Sequence, residues 1–235
     1  MILSWDKARL AFMQDASKYA PGYYAALWQV IAERLPEPPR HICDAGCGAG
    51  YLSLEMAKHC ERVTAVDLSA DATDLLRKNA ENVKNLTVKT GDIRALAPET
   101  PYDAIVFCYF GKTPEILRIA KAQCRGTLVM VTRNYTHHRF SLHPTAFDRD
   151  TADYCRRCLE EAGIPYDCRL LDLEFGQPFR SLDAAEEFFT IYGGTPASAE
   201  EVLPRLQKTD DPVFPYYLPS TKKMAVVTVK TSDIP

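Results

Sequence analysis

The sequence predicts an α/β fold, a largely parallel sheet covered by helices on both faces. Three observations carry that expectation. From residue 41 onward, short apolar runs rich in Val, Ile and Ala alternate with amphipathic helical segments, and such alternation builds parallel sheets buried on both sides. The first apolar run leads directly into "DAGCGAG", with glycine at 46, 48 and 50. The next two runs each end on an acid, Asp67 and Asp92.

The elements follow in order. Residues 1–38 read as helical, with apolar spacing in "YYAALWQVIAERL". "PEPP" ends that stretch, because proline removes a donor and restricts the residue before it. "HICDA" is a short buried strand and "GYLSLEMAKHC" a helix. "RVTAVDL" is the second strand. In the helix "SADATDLLRKNAENV" Ser69 is the expected N-cap, with acids in the first turn where the helix dipole favours them. "LTVKTGDI" and "YDAIVFCYF" are the third and fourth strands. "TPEILRIAKAQC" is a helix that Thr113 is expected to cap, with Pro114 at the first helical position.

"GTLVMVTRN" is the fifth strand. Residues 134–148 form a loop rich in Tyr, His and Phe, and a helix covers roughly 149–162. "YDCRLLDLEF" is a sixth strand. "SLDAAEEFFTIYG" is a helix, and "SAEEVLPRL" carries a capping box, Ser198 with Glu201 three residues later. "KKMAVVTVK" is the last strand. Composition allows one well-buried domain over residues 1–235, divided into a helical cap (1–38), a core (40–132) and a second half (133–235) with a helical insertion at about 176–220.

A net charge of −3 leaves no broad electrostatic footprint for nucleic acid, so no DNA partner is expected. Asp6 and Lys7 interrupt the place where a signal-peptide core would lie, and "YYAALWQVIA" is too short to span a bilayer. The expected setting is cytoplasmic, with no membrane partner. Cys43 and Cys108 sit in apolar strands, where Cys acts as a small hydrophobe. Cys155 and Cys158 lie on an amphipathic helix rather than the tight knuckles of zinc sites, so no metal is expected.

Ligands of such sheets bind beyond the carboxyl ends of the strands. That rim comprises Asp44–Gly50, Asp67–Leu68, Asp92–Ile93, Cys108–Lys112 and Arg133–His138. The glycine loop is no P-loop, since no Lys follows Gly50. The dinucleotide pattern would put its third glycine at the position of Tyr51, which disfavours a nicotinamide-dependent oxidoreductase. Asp67, 21 residues after Gly46, has the spacing of a ribose-binding carboxylate. A ligand with free ribose hydroxyls is expected.

"DAGCGAG", "VTAVDLS", "TGDI" and "YDAIVFCYF", in this order over roughly residues 40–132, resemble the motifs of class I S-adenosylmethionine-dependent methyltransferases. The resemblance implies a Rossmann-like sheet of seven strands, the last antiparallel and inserted between the fifth and sixth. It implies S-adenosylmethionine as cofactor. Gly46, Gly48 and Gly50 would lie under its methionine portion, with any Cβ at 46 or 48 meeting the cofactor. Asp44 would hold its amino group, Asp67 the ribose hydroxyls and Asp92 the adenine amino group. Leu68 would cover the adenine and Ile93 would pack on it. The N-terminal segment resembles the helical cap of small-molecule members, so that Tyr19 or Tyr23 could close the site.

"CYFGKT" after the fourth strand lacks the signatures of nucleobase methylation, which favours a small-molecule substrate and direct in-line methyl transfer. Tyr109, Tyr135, His137 and His138 are candidates for orienting the substrate or taking a proton. The substrate is expected among the loop 134–148, Tyr109–Phe110 and the insertion. An RNA- or protein-directed methyltransferase and a non-catalytic S-adenosylmethionine-binding protein are the alternatives.

Overall fold

The computed structural model of the chain describes residues 5–137, 140, 142 and 151–235. It opens with α1 (Lys7–Tyr19), capped by the Asp6 carboxylate on the Arg9 amide at 2.8 Å, and α2 (Tyr23–Ala32). The alternating core follows as β1 (His41–Ala45), α3 (Tyr51–Met56), β2 (Arg62–Asp67), α4 (Ala70–Asn79), β3 (Leu86–Thr90), β4 (Tyr102–Cys108), α5 (Thr113–Gln123) and β5 (Cys124–Arg133). Next come α6 (Ala152–Glu161), β6 (Asp167–Glu174), β7 (Gln177–Phe179), α7 (Leu182–Gly193), α8 (Ala199–Val202), β8 (Gln207–Lys208), β9 (Tyr216–Leu218) and β10 (Thr221–Lys230).

The main sheet has seven strands in the order β3-β2-β1-β4-β5-β10-β6. β1 to β5 run parallel to one another, while β10 is antiparallel to both β5 and β6. The expected sheet, with its last strand antiparallel and inserted, is therefore present. Side chains alternate between its faces as the pleat requires. Leu128 and Met130 of β5, with Ala225 and Val227 of β10, join Ile116 and Leu159 of α5 and α6 on one face. Val129, Val131 and Val226 join Leu27 and Ile31 of α2 and Met56 of α3 on the other.

Ser69 caps α4 as expected, accepting from the Ala72 amide at 3.3 Å. At α5 the expectation needs correcting. Lys112 is the N-cap and Thr113 is already helical and buried, so its hydroxyl makes no cap. The insertion is also only partly helical. Besides α7 and α8 it holds a second sheet, β7-β9-β8, packed around Phe179, Phe188, Phe189, Val202 and Leu218. Strands of two or three residues carry no readable period, which is why the sequence pattern missed them.

The capping box at Ser198 is formed, with Glu201 returning to the Ser198 amide at 3.0 Å. Ser198→Ala is expected to cost about 1 kcal/mol of stability. A shift in the midpoint of chemical unfolding checks it, and an unchanged midpoint would show the box contributes nothing. All eight cysteines are free thiols, with Cys155 of α6 buried beside Met130. Among the described residues no helix is long and apolar enough to cross a membrane. Nor does any group of three or more His, Cys, Asp or Glu among them stand ready to hold a metal ion.

Candidate functional site

Parallel strands bring the exits of β1, β2, β3, β4 and β5 to one rim, and the glycine loop hangs from the first of them. Its amides at Gly46 and Cys47 both donate to the Val66 carbonyl, at 2.8 and 3.0 Å. Asp67 fastens the loop further. One carboxylate oxygen accepts from the Gly48 amide and the other from the Ser69 amide, both at 2.8 Å. A carboxylate offers about four lone-pair sites, so each oxygen retains room for one more donor.

Asp44 is the unusual group. It is 1% exposed, and its one bonded oxygen accepts from the Ser53 hydroxyl at 2.5 Å. Its other oxygen, equally buried, has no partner among the described residues. Burial pushes its carboxyl up to about 6; the Ser53 bond pulls it down, and the negative charge of Asp67 adds to the rise. A buried acceptor without a donor is costly and marks a place where something else is meant to bind.

The glycines are left-handed, with φ of 76° at Gly46 and 52° at Gly48. A Cβ at Gly46 would collide with the ring of Phe110, and one at Gly48 would come within 2.8 Å of the ring of Trp5. In this structure the two glycines also give clearance to aromatic rings that cover the loop. Trp5 is held there by its carbonyl, which accepts from the Ser69 hydroxyl at 3.3 Å. Gly50 faces Leu76 of α4 and belongs to helix packing rather than to the cleft.

The other expected residues are distributed unevenly. Leu68 is 57% exposed on the rim beside Asp67, a position open to a flat apolar partner. Asp92 is held by Arg94, whose Nε lies 2.9 Å from both carboxylate oxygens, and this bond keeps the carboxyl below its ordinary range. Asp92 also accepts from the Arg94 amide, so it closes its own turn. Ile93 does not face the rim. Its side chain is buried in the core, and its carbonyl accepts from Gln123 at 2.6 Å.

Tyr19 stacks on Tyr217 at 4.8 Å and meets Phe214 edge-on, which places it on the insertion and not on the glycine loop. Tyr23 packs on Phe175 at 4.1 Å. Tyr109 stands at the exit of β4 with a φ of 56°, the sole non-glycine residue at positive φ among those described. Such strain clusters at functional sites. Tyr135 is half-buried after β5, and His137 is exposed with Nδ1 2.9 Å from the Thr136 hydroxyl. His138 lies outside the described residues. Phe188 and Phe189 of the insertion are core side chains and do not reach the cleft. Sequence reasoning missed Trp5 and Ser53 as parts of this arrangement, and gave Phe110 to the substrate where its ring lies over Gly46. A serine one turn into the helix after the loop was the one local hint.

Comparison with known proteins agrees with this geometry. Residues 42–127 match the family model described as "Methyltransferase domain". A 61-residue stretch is 46% identical to a protein of Methanococcus vannielii named "probable cobalt-precorrin-6B C(15)-methyltransferase (decarboxylating)", covering 25% of this chain and 34% of that one. Over 121 residues the chain is 31% identical to the ubiquinone biosynthesis O-methyltransferase of Xanthomonas campestris, covering 48% and 51%. The chain thus spans from about a third to about half the length of these curated relatives. In fold it resembles the YcgJ protein of Bacillus subtilis, with TM-score 0.56, 13% identity and coverage of 86% and 96%. It also resembles the precorrin 8W decarboxylase of Methanobacterium thermoautotrophicum, with TM-score 0.53, 20% identity and 87% coverage of both chains. Residues 42–127 thus match a methyltransferase domain, set in a seven-stranded sheet with its last strand antiparallel and inserted, and S-adenosylmethionine is the cofactor that such a domain implies.

The residues fit that group at two points. The lone buried oxygen of Asp44 suits an ammonium, and Asp67 keeps one lone pair per oxygen for a pair of hydroxyls. The rings of Trp5 and Phe110 lie over the same loop and have to swing aside for a ligand to settle on it.

Proposed function

We propose that this chain transfers a methyl group from S-adenosylmethionine to a small molecule. The observation that carries the reading is the buried, partnerless oxygen of Asp44 at the root of a glycine loop tied to Asp67. Bound S-adenosylmethionine supplies a methyl on a positively charged sulfur, which a nucleophile takes directly. Asp44 would hold the cofactor's ammonium and Asp67 its ribose hydroxyls. Leu68 would cover the adenine, and Asp92 together with the backbone at Ile93 would read its edge. Tyr19, stacked on the insertion, would act only through that insertion.

The chain's remaining contribution is alignment. Positioning two reactants in a near-attack geometry can supply about 7–11 kcal/mol of barrier reduction. Tyr109 and Tyr135, at the exits of β4 and β5, would orient the acceptor, and His137 or His138 would take its proton where the nucleophile carries one. A small acceptor is favoured by the names of the relatives, which concern precorrin and ubiquinone biosynthesis, and by a net charge of −3, which suits no polyanion.

Calorimetry with S-adenosylmethionine, S-adenosylhomocysteine and NAD tests the cofactor, and a labelled-methyl screen over metabolites tests the transfer. Binding of both sulfur nucleosides and not NAD is expected; NAD binding with neither of them overturns the reading. The rings over the loop favour a second reading, a protein that binds without transferring, and fluorescence separates the two. The chain has two tryptophans, and Trp28 is buried and stacked on His59. S-adenosylhomocysteine is therefore expected to shift the emission of Trp5, with no shift in a Trp5→Phe variant. Emission unchanged on saturating the wild type would mean the ring stays over the loop.

A further inference from the structure

Ser53 is the third residue of α3 and is wholly buried. Leu52 and Met56 of the same helix join Ile42 of β1 and Val106 of β4 in one core cluster, which fixes how α3 is turned. That orientation brings one hydroxyl to one carboxylate. Ser53 donates to Asp44 at 2.5 Å, the separation of a charge-assisted O–H···O bond. Asp44 lies in the middle of the sheet, level with Ala65 of β2 and Val106 of β4. The titratable groups around it come from several elements. Asp67, at the end of β2, adds a like charge. Cys43 beside it in β1, Cys47 in the glycine loop, Cys108 at the end of β4 and Tyr24 of α2 all feel its charge. Burial pushes each of those four well above its ordinary range, so they stay neutral near pH 7. Of the influences on Asp44, burial favours the proton, the Ser53 hydroxyl opposes it, and Asp67 favours it again.

We propose that Ser53 is a positioning residue for the cofactor: it occupies one carboxylate oxygen of Asp44 and so presents the other, charged, to the ammonium of S-adenosylmethionine. This deepens the methyltransferase reading and rests on it for the identity of the ammonium. An ammonium pairs with a carboxylate and gains little from a carboxylic acid. Without the hydroxyl, both oxygens of Asp44 would be buried with no donor among the described residues, and a carboxylate in that state takes up a proton instead. A hydrogen bond to an ionised group sets the titration lower by roughly one to two pH units. Lacking it, Asp44 would hold its proton at neutral pH, and the cofactor would have to expel that proton to solvent. A lysine at position 53 would also charge Asp44, but it would take the ligand's place. A hydroxyl supports the charge without cancelling it.

The test is calorimetry with S-adenosylhomocysteine from pH 5 to pH 8 on wild type, Ser53→Ala and Ser53→Thr. Buffers of different ionisation enthalpy count the protons released on binding. Affinity in the wild type is expected to level off above about pH 6, where the Asp44 carboxyl titrates. In Ser53→Ala the plateau is expected about one pH unit higher, with affinity at pH 6 down about tenfold. That variant is expected to release about half a proton or more at pH 7, where the wild type releases almost none. Ser53→Thr, which keeps the hydroxyl, is expected to follow the wild type. The same plateau and proton count in Ser53→Ala as in the wild type overturn the proposal. Chemical unfolding without ligand keeps the two readings apart. Stability is expected to fall with rising pH until about pH 6 in the wild type and about one unit further in Ser53→Ala. Ser53→Cys, a weak donor of similar size, replaces Ser53→Ala if the latter does not fold. An unfolding window that moves while the binding plateau stays also overturns the proposal, because Asp44 then meets no ammonium. If the wild type binds no S-adenosylhomocysteine at any pH, the methyltransferase reading falls. A window that moves then upholds the hold of Ser53 on Asp44, and one that stays overturns it.

Discussion

Replacing Asp67 with Ala is expected to weaken S-adenosylhomocysteine binding by about a hundredfold or more. Two charge-assisted hydrogen bonds, at about 1.5–3 kcal/mol each, set that scale. The same carboxylate holds the Gly48 and Ser69 amides, so its loss also loosens the loop on which the ligand would rest. Asp67→Asn separates the two effects, since one amide oxygen still accepts a backbone N–H while the negative charge is gone. Asp92→Ala is expected to cost less, because Asp92 is engaged by Arg94 at the surface. Calorimetry on the three variants decides the matter. Equal affinity in wild type and Asp67→Ala would remove the ribose assignment.

Asp44→Asn is expected to do two opposite things: stabilise the protein near pH 7.5 and weaken its binding of S-adenosylhomocysteine. The Asp44 carboxyl is raised from 3.8 to about 6, first by burial. Between those values the folded protein holds a proton that the unfolded chain has released. The folded state binds the extra proton, so stability falls as pH rises through this window and levels off above it. Roughly 3 kcal/mol is the ceiling for two pKa units, and Asn, which carries no charge and keeps an acceptor for Ser53, is expected to recover about 1 kcal/mol or more of it. Chemical unfolding at pH 4.5 and pH 7.5 checks the stability, and calorimetry with S-adenosylhomocysteine checks the binding. A stability slope across that window as steep in Asp44→Asn as in the wild type would mean Asp44 is not its source. The ammonium of the ligand favours the charged carboxylate, so binding is expected to tighten between pH 5 and pH 7 and to release a proton there.

What the sequence revealed divides along the distance between interacting residues. The glycine loop, Asp44 and Asp67 were legible because strand, turn and acid lie close together in the chain, and the backbone geometry of a strand exit is local. Trp5 was not, because its contact with Gly48 joins an N-terminal segment to the first strand exit and no pattern announces it. Ile93 was placed on the wrong side of its turn. After β3 ends, the chain passes through Gly91 at a φ of 156°, and the sequence does not say which of the following side chains falls inward. The capping box at Ser198 was legible from four residues, whereas the second sheet depends on Gln177 meeting Leu218 across the whole insertion.

The position of β10 has a consequence for how the chain comes to be folded. It fills the slot between β5 and β6, pairing from Met224 to Lys230 with one and from Thr221 to Thr228 with the other. A ribosome delivers residues 124–133 long before residues 221–230. In that interval the apolar flank of β5, with Leu128, Val129, Met130 and Val131, is an open sheet edge, and β6 has nothing in the main sheet to pair with. Open apolar edges recruit other strands, and late pairing between distant segments is slow. The nascent protein therefore passes through a window in which a chaperone has something to hold, and the window closes when β10 slides in.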